Sequence, residues 1–264
     1  MASAVSDPLA RSEPGAVTTQ LREGAAWLVD LLFERADAGV AAPDAIAPRA
    51  CRLATGATVA FCSLVAGCGV TTLAALSAQR SGGAGATVRL LDLDLVSPTL
   101  ALLVGERTPT LLDALSAEQV RGRRWGSAFA VFGAERDPGP EIGEALARFV
   151  RRMSSDAAVV IDAGALGERS FAALRACDEI VYVTTPRAAH VHAAARSERL
   201  LRELGRPARL VVNRATADAA AAIARELDLP LAAAIPEDPF LARDDFRVRA
   251  ETARHIDRLV AALA

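Results

Sequence analysis

The sequence predicts an α/β protein: a doubly wound, mostly parallel sheet with helices on both faces, preceded by an N-terminal helical extension. Three observations carry this. Short uninterrupted apolar runs, such as Val159-Val160-Ile161, alternate with amphipathic stretches from about residue 58 onward; strands without polar alternation are buried on both faces, as in parallel sheets. Hydrophobic residues make up 52% of the chain but aromatics only 4%, so alanine, leucine and valine must fill the core, which suits alanine-rich helices lying close on a sheet. At Ala60–Thr72 an apolar run meets a glycine turn and then a helix start. With 264 residues the chain is long enough for one large domain of this kind.

Residues 1–16 hold Pro8, Pro14 and Gly15 among small polar residues and predict a disordered tail. Residues 17–56 predict a helical extension and linker. Leu21, Ala25, Leu28, Leu31 and Leu32 recur at helical spacing over Thr18–Ala36, and two prolines follow between Gly39 and Pro48. The main domain spans 57–264. Its expected order is strand Thr58–Leu64, helix Thr71–Gln79, strand Thr87–Leu93, short helix Thr110–Leu115, strand Ala128–Phe132, helix Glu141–Arg152 and strand Ala157–Asp162. Helix Ser170–Ala176, strand Glu179–Thr184, helix Ala188–Leu204, strand Ala208–Asn213, helix Asp218–Leu227, strand Leu231–Ile235 and a terminal helix Val248–Leu263 complete it. In such a sheet, ligands bind at the carboxyl ends of the strands.

Composition narrows the function. The net charge of −2 argues against a polyanion as the main partner. Cys51, Cys62, Cys68 and Cys177 lack zinc-site spacing and read as reduced thiols of a cytoplasmic protein. No run approaches a membrane span and no signal peptide is evident, so membrane contact is indirect at most. The terminal helix carries Arg249, Arg254 and Arg258, but Glu251 and Asp257 dilute their charge, and packing on the sheet is expected.

The glycine turn aligns with the phosphate-loop pattern G-x-x-x-x-G-K-[ST] at Gly69, Thr71 and Thr72, with Leu64 at its first glycine and Val70 at its lysine. The chain has no lysine at all; its 30 basic residues are arginines. A strand–turn–helix of this kind aims backbone N–H groups and a helix N-terminus at one spot, suited to an anion. Asp92 and Asp94 close the second strand run and Asp162 closes the fourth. Placed at the sheet's rim, they either hold Mg²⁺ and orient a water or cap the following turns. Gly67-x-Gly69-x-x-Thr72 also imitates a dinucleotide fingerprint, which leaves Asp162 and Asn213 without a role. Cys68, at a helix N-terminus, is placed for a lowered thiol pKa. His190 and His192, two apart on one helix, read as surface residues.

Taken together, residues 57–264 resemble the MinD/ParA family of deviant Walker-A P-loop ATPases. The resemblance runs through the loop Leu64–Thr72, Asp92-Leu93-Asp94, Asp162, Thr184-Thr185-Pro186, Val211-Val212-Asn213-Arg214 and Ile235-Pro236-Glu237-Asp238. It implies ATP or ADP with Mg²⁺. The nucleotide would lie against Gly67, Cys68, Gly69, Val70, Thr71, Thr72, Asn213, Arg214 and Pro236. The metal would lie at Thr71, Asp92 and Asp162, with Asp94 orienting water.

The family's two loop lysines fall on Val70 and Val65, and its double glycine on Ala66-Gly67. Each lost charge-assisted phosphate contact costs roughly 1.5–3 kcal/mol. Both together remove about two to four decades of affinity, and more from a transition state that gathers charge. Leu64 and Ala66 are expected to restrict a loop that wants glycine dihedrals, and Arg187 or Arg214 is a candidate substitute cation. The resemblance therefore suggests a degenerate member with weak or no ATP hydrolysis. It is closest in character to the TadZ/CpaE-like branch, which localises pilus and secretion machinery. Its expected partners are proteins of a pilus, secretion or division apparatus, and a homodimer is compatible. The alternatives are an active ATP-dependent dimerisation switch with rewired phosphate contacts, or a chromosome or plasmid partition protein binding DNA through Arg121, Arg123 and Arg124.

Overall fold

The computed structural model describes residues 51–95, 97–101, 110–117, 120, 122–133, 142–241 and 246–264. The tail, the helical extension, most of the linker and Arg121 lie outside them. The elements are β1 (Thr58–Ser63), α1 (Val70–Gly83), β2 (Val88–Asp92), α2 (Leu111–Ser116), β3 (Arg123–Trp125), β4 (Ala128–Val131), α3 (Ile142–Met153) and β5 (Ala158–Ala165). Then follow α4 (Glu168–Arg175), β6 (Glu179–Thr184), α5 (Ala188–Leu204), β7 (Ala208–Asn213), α6 (Ala217–Glu226), β8 (Leu231–Ile235) and α7 (Ala250–Ala262). The strands form one eight-stranded sheet in the order β3-β4-β2-β5-β1-β6-β7-β8. All neighbours pair in parallel except β3 with β4. The predicted doubly wound fold is the one observed.

The period-two geometry of the strands sorts their side chains into two cores. Ala60, Cys62, Leu91, Ile161, Tyr182 and Val212 face one layer with α2 to α6. Val59, Phe61, Leu90, Val160, Val183 and Val211 face the other, with α1 and α7. In the second layer five of the eight buried residues of α1 are alanine or serine, small side chains that suit close packing on the sheet. The terminal helix buries Ile256, Leu259 and Val260, as packing on the sheet requires. Arg80 of α1 and Asp257 of α7, both mostly buried, join in a two-pronged ion pair, with Nε 2.6 Å from Oδ1 and a terminal nitrogen 2.5 Å from Oδ2.

Local signals account for the element ends. Thr110 and Asp113 form a reciprocal capping box at α2. Thr216 caps α6, and Gly205 ends α5 with a left-handed φ of 65°. Asp238 braces the start of α7 by accepting from the Arg249 amide at 2.8 Å and from the Phe240 amide at 3.0 Å.

The strand β3 was missed in the sequence. Arg123-Arg124-Trp125 lacks an apolar run, yet it pairs antiparallel with β4 across the short turn at Gly126-Ser127. Gln79 of α1 holds that turn, donating to the Trp125 carbonyl at 2.5 Å and accepting from the Ser127 amide at 2.9 Å. Trp125 packs edge-on against Phe246, with ring centroids 4.9 Å apart. Several boundaries also move, two of them at the site: β1 stops at Ser63 rather than Leu64, and β5 runs past Asp162 to Ala165.

Candidate nucleotide site at the carboxyl rim of the sheet

Parallel pairing brings the predicted site residues into one row. Asp92 lies opposite Asp162, Phe61 opposite Asp162, and Asn213 opposite Ile235, just ahead of Pro236. The loop 64–69 leaves β1 at the middle of the sheet, between the carboxylates of β2 and β5 on one side and the ends of β6 and β7 on the other. The loop, Asp92, Asp162, Asn213 and Pro236 thus share one rim.

The loop takes its left-handed turns at Gly67 (φ 80°) and Gly69 (φ 90°). Leu64 and Ala66 are not among the positive-φ residues, so the expected restriction at those two positions is corrected: the glycines that remain stand where the backbone needs them. Gly69 is required twice over, because a Cβ there would also overlap Asn213 Nδ2. Asn213 is buried and donates to the Cys68 carbonyl at 2.9 Å, pinning the loop from β7. Tyr182 Oη accepts from the Leu64 amide at 3.2 Å, and Ser63 Oγ from the Val65 amide at 3.4 Å. Among the described residues, no hydrogen bond is made by the amides of Ala66, Gly67, Cys68, Gly69 or Val70. Free backbone donors beside the N-terminus of a helix are the kind of groups that suit an anion. Val70, at the lysine position, is only 8% exposed and points into the α1–α7 core.

The carboxylate side is buried, which corrects the expectation that these groups stand at an open rim: Asp92 and Asp162 are both 0% exposed. Asp92 Oδ1 accepts from the Asp94 amide and Oδ2 from the Leu100 amide, each at 3.2 Å. Asp162 Oδ1 accepts from the Gly164 amide at 3.1 Å. Its Oδ2 has no hydrogen-bond partner among the described residues. The Thr71 hydroxyl, 3.4 Å from Thr99 Oγ1, lies near enough to favour the charged form of Asp162 without closing a bond to it. Gly164, at φ 56°, lets β5 pass Asp94; a Cβ there would overlap the Asp94 carboxylate.

Burial pushes Asp162 up to about 6, against the opposing pull of Thr71 and the Gly164 amide and with a further push from Asp94. Asp92 is raised well above the usual carboxylate range, first by burial and then by the Asp162 charge. A buried carboxylate oxygen without a donor, beside a second carboxylate and a threonine hydroxyl, suits a small divalent cation that keeps several of its waters. Among the described residues, no three His, Cys, Asp or Glu side chains converge as a complete metal cage. Water and phosphate would therefore complete the shell.

The opposite side is basic, and sequence reading caught only part of it. His190 is half-buried rather than a surface residue: its Nδ1 lies 2.8 Å from Thr185 Oγ1 and 3.5 Å from Cys68 Sγ, beside the loop. Burial lowers its pKa, and the neighbouring Arg187 and Arg214 lower it further. The same two guanidiniums act on Cys68, whose thiol is nonetheless raised by burial, so the expected lowered thiol pKa is not found. Arg214 itself sits at φ 57°, held by its amide donating to Asn213 Oδ1 at 3.0 Å. The i, i+2 spacing of His190 and His192 gave no hint of this; the signal was Thr185, five residues before His190 at the end of β6.

No protein-family model matches the sequence, and no curated protein matches it. Solved structures do. The cell division ATPase MinD of Pyrococcus furiosus is similar with a TM-score of 0.67 at 21% identity, over 78% of this chain and 98% of that one. The septum site-determining protein MinD of Pyrococcus horikoshii, complexed with Mg-ADP, is similar at 0.66 and 20% identity, over 77% and 94% of the two chains. A ParA family ATPase from Chlorobium tepidum gives 0.66 at 18% identity, over 78% and 98%. These likenesses establish a shared fold.

Proposed function

We propose that this chain, built on the fold of the MinD and ParA ATPases, is a nucleotide-responsive positioning or assembly factor that hydrolyses ATP weakly or not at all. It binds Mg²⁺ with ADP or ATP through the loop amides and the Thr71, Asp92 and Asp162 cluster. Asn213 and Pro236 stand at the base side. Its partners are proteins of a pilus, secretion or division apparatus in the cytoplasm. The observation that carries this reading is the pairing of an orphaned, buried Asp162 oxygen with a loop whose lysine position is filled by the inward-facing Val70. The cation place is kept, and the group that would steady a γ-phosphate in the transition state is gone. In support of a positioning role, one of the similar proteins is a septum site-determining protein, and another is a cell division ATPase. No helix among the described residues is long and apolar enough to cross a membrane.

Steady-state phosphate release from Mg-ATP tests the hydrolytic half. The expected rate is indistinguishable from that of Asp94→Ala, and a brisk rate abolished by Asp94→Ala overturns it. Light scattering with and without Mg-ATP separates this protein from an ATP-driven dimer switch, which would double its mass on adding nucleotide.

A further inference from the structure

We infer that Arg187 and Arg214 supply the fixed positive charge the loop itself lacks, so that the site holds a nucleoside diphosphate from its β6–β7 side and gains nothing from a third phosphate. This rests on reading the rim as a nucleotide site.

Both arginines are tied to the loop by short chains of contacts. The Arg187 amide donates to Thr185 Oγ1 at 3.4 Å, Thr185 meets His190 Nδ1 at 2.8 Å, and His190 meets Cys68 Sγ at 3.5 Å. Arg214 follows Asn213, whose amide nitrogen donates to the Cys68 carbonyl. Arg187 directly precedes α5, and Arg214 stands in a left-handed turn beyond β7. Both side chains are exposed on the same side of β1. Guanidinium groups placed there meet phosphate oxygens in a forked geometry, over amides already turned toward an anion.

The other side of β1 has the opposite character. A phosphate chain entering past Asn213 and crossing the loop would bring its third phosphate toward Asp92, Asp94 and Asp162. At the loop positions where the phosphate-loop pattern and the resembled family carry lysine stand Val65, packed against the α1–α7 core, and Val70, buried within it. No cation rooted in the loop meets the added charge there; only a bound Mg²⁺ would. A diphosphate keeps its charge over the α1 N-terminus and the arginines, so a third phosphate adds repulsion without a matching contact.

Calorimetric titration of the full chain in Mg²⁺ with ADP, ATP and inorganic pyrophosphate tests this. ADP is expected to bind at least as tightly as ATP. Arg187→Ala and Arg214→Asn, the latter chosen because asparagine tolerates the left-handed backbone, are each expected to weaken ADP about tenfold or more. Their thermal unfolding should match that of the wild type. The inference is overturned if both variants bind ADP as the wild type does, or if ATP binds tenfold tighter than ADP. Arginine-dependent binding of pyrophosphate without nucleotide binding would keep the anion assignment and sink the nucleotide reading. Binding of neither sinks both.

Discussion

The two sides of the phosphate loop differ in how they are held. On the β2–β5 side, Asp92 and Asp162 are sealed from solvent, and their geometry is fixed by the amides of Asp94, Leu100 and Gly164. On the β6–β7 side, Arg187 and Arg214 are exposed, and among the described residues their hydrogen bonds are made by backbone groups. Charge inside the sheet is a standing cost of the fold, relieved by protonation or by a cation. Charge on long side chains outside it costs the fold little and is available to a ligand. Substitutions on the first side should therefore change stability, and those on the second should change binding.

Three measurements put pressure on that contrast. The largest effect is expected from Gly164→Ala. The left-handed backbone and the overlap with Asp94 should destabilise the protein by roughly 2–4 kcal/mol in urea unfolding. A neutral result would mean the carboxylate side is not rigid.

Next comes Asp162→Asn, which should stabilise the metal-free protein. Asparagine keeps the acceptor for the Gly164 amide and replaces an oxygen that has no donor to lose. The folded pKa of Asp162 is raised, to about 6. The wild type thus suffers no penalty below the unfolded carboxylate value near 4 and acquires one as pH rises through the folded value. The gain from Asp162→Asn should reach roughly 1–3 kcal/mol at pH 8 and vanish below about pH 4. Saturating Mg²⁺ should narrow it by stabilising only the wild type. A loss of stability at pH 8 would show that the Asp162 charge is already compensated.

The smallest effect belongs to Arg187→Ala, expected within about 0.5 kcal/mol of wild type in the same assay. A larger cost would make the arginine a structural brace and blur the distinction between the two sides.

The buried side was the more legible one in the sequence. Apolar runs ending in Asp92 and Asp162 announce two buried parallel strands with carboxylates at their carboxyl ends; the strand order and register of the fold then set them opposite each other. What the pattern could not convey was depth: β5 continues three residues beyond Asp162, and residues 97–101 fold back so that the Leu100 amide reaches Asp92. The basic side depends on where side chains from separate strand ends converge. His190 meets Cys68 across 122 positions of sequence, a relation that neither periodicity nor local composition encodes. The loop itself was readable because Gly67 and Gly69 mark where φ turns positive. The tolerance of Leu64 and Ala66 depended on the path of the chain between them.

The strand β3 ends the sheet with two consecutive exposed arginines. An outermost strand offers unpaired backbone groups to any passing chain, and like-charged side chains along it repel a second copy arriving edge to edge. With only three residues and a tight turn clipped to α1 by Gln79, this border is too short and too charged to seed stacking into fibres. Replacing Arg123 and Arg124 with threonine would leave a bare ribbon there, and the concentration at which the protein stays in solution should fall.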